Sequence, residues 1–304
     1  MDKFIIKGGV ALHGKIATSG AKNSALPVLA ATLLTSEPVT LRRIPQVRDI
    51  RTMLKLIENI GARVEISGDT VRIEAGEIVS PEAPYELVKT MRASSLVLGP
   101  LVARAGRARV SLPGGCAIGA RPVNLHLSGL EQLGARIHQV HGYIEAEAPG
   151  GLRGAPIQFD RITVTGTEDL MMAAVLARGE TVLENAAREP EVLDLAELLI
   201  QMGAKIEGAG SSTIRIQGVA RLGAAEHTII SDRIEAGTFL VAGAMTGGDL
   251  TVTNCVPEHL GALIGKMRQA GIAIEQTGTG ELRVRGTRAL RSVDMTTEEY
   301  PGFP

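Results

Sequence analysis

Two kinds of residue in this chain are suited to chemistry on an anion. One is a cysteine in the glycine-containing stretch Leu112-Pro-Gly-Gly-Cys116-Ala-Ile-Gly-Ala-Arg121-Pro122. A thiol beside positive charge has a lowered pKa and can serve as acid or nucleophile. Long loops with glycines often close over active sites. Glycines on both sides cannot bury Cys116 securely, whereas Cys255, in the strand-like TVTNCV, reads as buried and inert. The other kind is a set of polar clusters, each placed before an apolar run. They are Ser19-Gly20-Ala21-Lys22-Asn23, Thr90-Met91-Arg92, residues 165–169 (TGTED) and Ser231-Asp232-Arg233. A helix start presents unpaired N–H groups and a partial positive charge, so it is a ready anion site, improved by a Lys or Arg beside it. Plain N-capping by Ser, Thr or Asp explains residues 165–169 and Ser231-Asp232 equally well. Lys22-Asn23 at the mouth of a buried helix calls for an anionic partner.

The elements that must position these residues form a repeat. Helix-like runs end at Gly61, Gly134, Gly203 and Gly271, which are 73, 69 and 68 residues apart. Self-similarity at a fixed period marks a repeated supersecondary unit. In the second copy, residues 94–104 read as an apolar helix and 107–112 as a strand. PVNLHLSGLEQL then reads as a helix stopped by Gly134, a C′ glycine, and a hairpin turns at His141-Gly142. Each unit is therefore helix, strand, helix, hairpin. The first helix of each unit is apolar on nearly every side and must be buried all round. The second is amphipathic. Sheets outside and apolar helices inside is the natural packing, in globular α/β domains rather than a thin solenoid. The stretch 112–122 is an insertion, because the matching connections 43–46, 185–190 and 254–257 are shorter.

Composition removes several function classes. With 304 residues and a net charge of −1, the chain has room for two domains and no bulk field for nucleic acid or anionic lipid. Aromatics at 2% argue against base-stacking platforms. Cys116 and Cys255 form no CxxC or Cys/His cluster, and the six histidines show no metal spacing. Among them, His126 stands out only by following residues 121–125 directly. No run reaches the length of a membrane span and no leader pattern is visible, so the cytoplasm is the default.

SGAKNSALPVLAA, PGGCAIGARPVNLH, ENAAREPEV and SDRIEAGTF resemble the UDP-N-acetylglucosamine 1-carboxyvinyltransferases, and the match extends to YPGFP at the end. The resemblance implies transfer of the enolpyruvyl group of phosphoenolpyruvate to the 3-hydroxyl of UDP-N-acetylglucosamine, the committed step of peptidoglycan precursor synthesis. It implies the inside-out α/β barrel shared with EPSP synthase, two small-molecule substrates and no cofactor or metal. By the same resemblance Lys22 and Asn23 hold phosphoenolpyruvate, and Arg92 and Arg121 line the anionic site. Arg121, Pro122, Val123, Asn124 and Leu125 contact the UDP sugar, as do Arg161, Ile162, Thr163 and Val164. Cys116 is the implied general acid, open to alkylation by fosfomycin, with Lys22 and Arg121 beside it as catalytic groups.

Three departures from the family pattern bear on this. Asn124 stands where many members have Asp. Arg161 replaces a common Lys, which keeps charge but changes geometry. The expected catalytic aspartate falls two positions after Pro304. The resemblance then implies four of six repeat units, a complete domain at 22–230 with its lid loop at 112–122, and an incomplete one at 1–21 plus 231–304. It also implies that this chain alone lacks turnover. Two other readings are an enolpyruvyl transferase acting on shikimate 3-phosphate, against which the Gly-Gly-Cys loop argues, and a non-catalytic UDP-sugar binding module.

Overall fold

The computed structural model describes Lys3 and residues 5–89, 91–112 and 123–303, and only the backbone of Arg92. The expected lid, with Cys116, Arg121 and Pro122, lies outside the described residues. In chain order the first repeat holds β1 (His13–Ala17), α1 (Lys22–Ala31), β2 (Val39–Arg42), α2 (Arg48–Ile60), β3 (Arg63–Ser67) and β4 (Thr70–Glu74). The second holds β5 (Glu82–Ala83), α3 (Tyr85–Val88), a 3-10 segment (Arg92–Val97) running into α4 (Leu98–Ala105), β6 (Arg107–Ser111), α5 (Asn124–Gln132), β7 (Arg136–Val140) and β8 (Tyr143–Glu147). The third holds β9 (Pro156–Gln158), α6 (Val164–Ala174), β10 (Glu180–Glu184), α7 (Pro190–Gln201), β11 (Lys205–Glu207) and β12 (Thr213–Gln217). The fourth holds β13 (Ala225–Thr228), α8 (Arg233–Met245), β14 (Asp249–Thr253), α9 (Gly261–Gln269), β15 (Ala273–Gly278) and β16 (Glu281–Arg285).

Each repeat thus opens with a strand that the sequence reading left out. These strands are short, down to two residues in β5, and they carry no long period-2 signal. Each pairs in parallel at the edge of a four-stranded sheet whose other three strands are antiparallel. β5 pairs with β6 and β9 with β10 inside their own repeats, across the helical crossover that parallel strands require. The first and fourth repeats exchange theirs: β13 pairs with β2, and β1 pairs with β14. No sheet closes on itself.

The exchange divides the chain into two compact units, residues 20–230 and residues 1–19 with 231–304. The larger unit contains three sheets around the apolar helices α1, α4 and α6, sharing one continuous hydrophobic core. These helices are buried along almost their whole length, as their composition requires. The smaller unit contains one sheet with α8 and α9 and its own core. There the expectation of burial all round fails. Ile234, Val241 and Met245 of α8 are 49%, 41% and 75% exposed. The reason is that α8 packs on a single sheet and α9's repeat, with no second apolar helix beside it in that unit.

The turn chemistry follows the sequence closely. Gly61, Gly134, Gly203 and Gly271 all have positive φ. In each, the glycine N–H reaches the carbonyl three residues back and the next N–H reaches the carbonyl five back, as in Ala204 N to Leu199 O at 2.9 Å. These are Schellman caps, and they satisfy carbonyls that a helix end leaves open. His141 and Gly142 both have positive φ in a two-residue hairpin closed by the Val140–Tyr143 pair. Cys255 lies just past β14 rather than within it, buried, and burial raises its thiol pKa.

Gly203 has φ of 103° and open space where a Cβ would sit. Gly203→Ala is therefore expected to cost about 1–2 kcal/mol through backbone strain alone. In a unit of this size that lowers Tm by roughly 2–4 °C per kcal/mol. Differential scanning calorimetry checks it, and an unchanged Tm would contradict the cap assignment.

Candidate anion site at the helix starts

Within the larger unit the buried helices run in one direction. The 3-10 segment Arg92–Val97 packs beside α1 and α6, while α4 packs on the turn Thr32–Leu34 that continues α1. At the far end Arg104 ties the carbonyl ends together, donating to Leu33 O at 2.8 Å, Thr35 O at 2.7 Å and Gly76 O at 2.9 Å. A guanidinium placed among C-terminal carbonyls offsets their partial negative charge. Leu34, Thr35, Arg104, Leu176 and Leu222 line a cavity there. With the C-termini gathered, the N-termini gather at the opposite end. α5 joins them. His126 in its first turn meets Thr165 in the first turn of α6, Nε2 to Oγ1 at 3.1 Å, and Gly129 admits Leu170 where a Cβ would come within 2.1 Å.

That end carries most of the residues singled out from the sequence. Lys22 and Asn23 open α1, Arg92 opens the 3-10 segment, Asn124 opens α5 after Val123, and Val164 opens α6. Asn23, Asn124 and Arg161 are exposed, while Val123, Leu125, Ile162, Thr163 and Val164 are half-buried. Lys22 is not the buried cation its position suggested. Its side chain is 42% exposed and Nζ lies 3.3 Å from Asp49 Oδ2, itself 35% exposed. The Lys22 side chain leaves the core by extending from the very first residue of α1. A half-exposed pair of this kind contributes at most about 1 kcal/mol, so an anionic ligand can compete for the ammonium.

The cap assignments differ from the sequence reading at one cluster. Residues 165–169 do not precede a helix but lie inside α6, because Thr163 is the N-cap and accepts from Gly166 N at 3.2 Å. In the smaller unit Asp232 caps α8, accepting from Ile234 N and Glu235 N at 2.8 and 3.0 Å, and Arg233 lies over the Tyr300 ring at 5.3 Å.

Below the helix starts is a layer of buried acids; Glu168 and Asp169 belong to the cluster 165–169 read from the sequence, whereas Asp194 was not singled out there. Asp169 takes Gly99 N at 2.8 Å on one oxygen and His126 Nδ1 at 3.0 Å on the other. With Asp169 as acceptor, the His126 proton sits on Nδ1 and Nε2 accepts from Thr165. Asp194 takes Ser24 and His227. Glu168 is 1% exposed and its Oε1 has no hydrogen-bond partner. Burial first, then the carboxylates of Glu191, Glu189 and Asp169, push its pKa well above the ordinary value. The available signal was a carboxylate inside the otherwise apolar run DLMMAAVLA and its preceding turn, which a soluble helix buries only with a purpose.

Among the described residues no three His, Cys, Asp or Glu are placed to hold a metal ion, and no helix is long and apolar enough to cross a membrane.

Comparison with known proteins matches residues 6–304 to the family described as EPSP synthase (3-phosphoshikimate 1-carboxyvinyltransferase). The UDP-N-acetylglucosamine 1-carboxyvinyltransferase of Solibacter usitatus (strain Ellin6076) is 76% identical over 303 residues, which are 100% of this chain and 72% of that protein. The protein of the same name from Acidobacterium capsulatum is 63% identical over 308 residues, 100% of this chain and 70% of the relative. Among solved structures, the enolpyruvyl transferase NikO from Streptomyces tendae superposes with a TM-score of 0.85 at 24% identity, covering 97% of this chain and 71% of that one. EPSP synthase from Acinetobacter baumannii gives 0.74 at 19% identity, covering 96% and 68%. The two structures show a common fold.

Glu168 makes stability depend on pH. Its folded pKa lies above the unfolded value near 4.5, so the native state favours the protonated form. The stability tied to that proton is complete below the unfolded pKa and is lost as pH rises toward the folded one. Glu168→Gln keeps the neutral shape. It is expected to match the parent near pH 4 and exceed it in urea midpoint at pH 8. A variant less stable than the parent at pH 8 would show that the carboxylate is charged and compensated.

Proposed function

The chain belongs to the EPSP synthase family and, within it, to the UDP-N-acetylglucosamine 1-carboxyvinyltransferases; on that premise we propose that it transfers the enolpyruvyl group of phosphoenolpyruvate to the 3-hydroxyl of UDP-N-acetylglucosamine, releasing phosphate. The observation that carries the reading is the gathering of N-termini in the larger unit, with Lys22, Asn23, Arg92, Asn124 and Val164 at the openings of four neighbouring helical segments. A substrate pair bearing three phosphates and a carboxylate matches an end where partial positive charges and basic side chains accumulate. Names of relatives favour the UDP sugar over shikimate 3-phosphate as acceptor, since the EPSP synthase structure resembles this chain in fold at only 19% identity.

In this reading Lys22 and Asn23 hold phosphoenolpyruvate, with Arg92 and Arg121 on its charged groups. Pro122, Val123, Asn124, Leu125, Arg161, Ile162, Thr163 and Val164 receive the nucleotide sugar. Cys116 delivers a proton to the methylene carbon while the sugar 3-hydroxyl attacks the adjacent carbon and gives up its own proton to a general base, the part that the resemblance assigns to an aspartate outside this sequence. The charge of the tetrahedral intermediate is spread over Lys22, Arg121 and the helix starts. Phosphate then leaves as the methyl group returns a proton to the Cys116 thiolate, which restores the double bond and the thiol. Arg161 offers a planar fork to a phosphate where a lysine would offer a point charge. The setting that goes with this chemistry is the cytoplasmic stage of peptidoglycan synthesis.

Calorimetry is expected to show UDP-N-acetylglucosamine binding, with phosphoenolpyruvate binding strengthened in its presence and weakened about tenfold or more by Lys22→Met, the loss of a charge-assisted contact. Fosfomycin is expected to add one equivalent of mass to the protein and none to Cys116→Ser. Binding of shikimate 3-phosphate in place of the UDP sugar would overturn the reading.

A further inference from the structure

α1 begins without a conventional cap. Its N-cap is Ala21, which makes no side-chain cap hydrogen bond, and the first turn has no acidic residue. The two residues that open it are nonetheless bracketed from both sides. Before them, Ala21 N donates to Ile230 O at 2.8 Å. After them, the Ser24 hydroxyl donates to Asp194 Oδ2. The same Oδ2 faces Ile230 N at 3.5 Å. One carboxylate on α7 therefore closes a ring through Ser24, the first turn of α1, Ala21 and Ile230, with Lys22 and Asn23 as the only residues between the two anchor points.

The other oxygen of Asp194 is fixed as well. His227 on β13 places Nε2 2.9 Å from Oδ1, and Gln201 places Nε2 3.2 Å from His227 Nδ1. The Gln201 amide can only donate there, so Nδ1 accepts, the imidazole proton sits on Nε2, and it points at Asp194. Ser24, Asp194 and His227 are all buried. Solvent therefore does not supply replacements for these bonds, and each lost partner leaves an unsatisfied group. Asp194 lies three residues after Glu191 on the buried face of α7 and packs directly under α1.

We propose that Asp194 is the positioning residue for Lys22 and Asn23, holding the opening of α1 at the depth where these two meet the anionic substrate. The proposal rests on the reading of Lys22 and Asn23 as phosphoenolpyruvate contacts. It adds a residue that touches neither substrate and a reason for His227 and Gln201: they lock the carboxylate that locks the helix.

Two variants test it. Ser24→Ala removes one arm of the ring with little change of volume. Asp194→Asn keeps the shape but turns an N–H against donors. Hydrogen exchange by mass spectrometry reads peptides spanning residues 20–26, with a peptide from β12 as reference. Exchange through residues 21–25 is expected to quicken about tenfold in both variants while β12 is unchanged. Phosphoenolpyruvate affinity, measured with UDP-N-acetylglucosamine present, is expected to fall about tenfold while the UDP sugar alone binds as before. Should Asp194→Asn fail to fold, Ser24→Ala decides. Exchange at the parent rate in Ser24→Ala overturns the clamp. A loosened helix start with undiminished phosphoenolpyruvate affinity overturns its positioning role. If the parent itself binds no phosphoenolpyruvate, the functional reading falls, and the exchange comparison still decides whether Asp194 holds α1.

Discussion

A helix buried on every side can meet polar ligands only at its ends. The larger unit takes this constraint to its limit, with α1, α4 and α6 packed side by side in one direction. Parallel packing adds the helix dipoles instead of cancelling them, so partial positive charge collects at one end and negative at the other. Arg104 answers the negative end by binding three carbonyls. The positive end is answered from beneath by buried Asp169 and Asp194. This arrangement explains why Asp169 of α6 and Asp194 of α7 lie buried.

The two aspartates are used in the same way. Each accepts a histidine on one oxygen and a group from a neighbouring helix on the other: Gly99 N–H for Asp169, the Ser24 hydroxyl for Asp194. Each pair joins a buried helix to a separate element, His126 from α5 and His227 from β13. Among the described residues Glu168 Oε1 has no such partner, and the carboxylates already near it make a further charge unfavourable. A proton is the cheapest remaining way to neutralise it.

The exchange of β1 and β13 ties the chain's two ends of the larger unit into one place. Because β13 completes the sheet of β2, residues 225–230 lie against the first repeat. Ile230 is thereby available to hold Ala21, and His227 to hold Asp194. The sheets keep the same local chemistry despite the exchange. Thr18 N, Phe159 N and Ile229 N extend the parallel ladder to Thr253 O, Glu184 O and Arg42 O. The next residues, Asn254, Asn185 and Arg43, all turn with positive φ. Two of them, Asn185 and Asn254, reach back to the carbonyls of Phe159 and Thr18.

What depended on near neighbours in the chain was readable from the residues alone. The period, the glycine caps, the hairpin at His141-Gly142 and the apolar character of α1, α4 and α6 all follow from local sterics and periodicity. The motifs around Lys22, Cys116 and Asp232 identified the family for the same reason, since they are contiguous. Tertiary structure decided the rest. The leading strands, two to five residues long, carry no alternating apolar face of their own and are held at a partner edge. Whether β1 pairs with β2 or β14 is settled by strands more than 200 residues away. The ammonium of Lys22 reaches solvent and Asp49 although its helix is buried. Asp194 could not be recognised as an anchor for Lys22 and Asn23 from a sequence in which it lies 170 residues from Ser24, because a buried carboxylate acquires its role from the donors that folding brings to it.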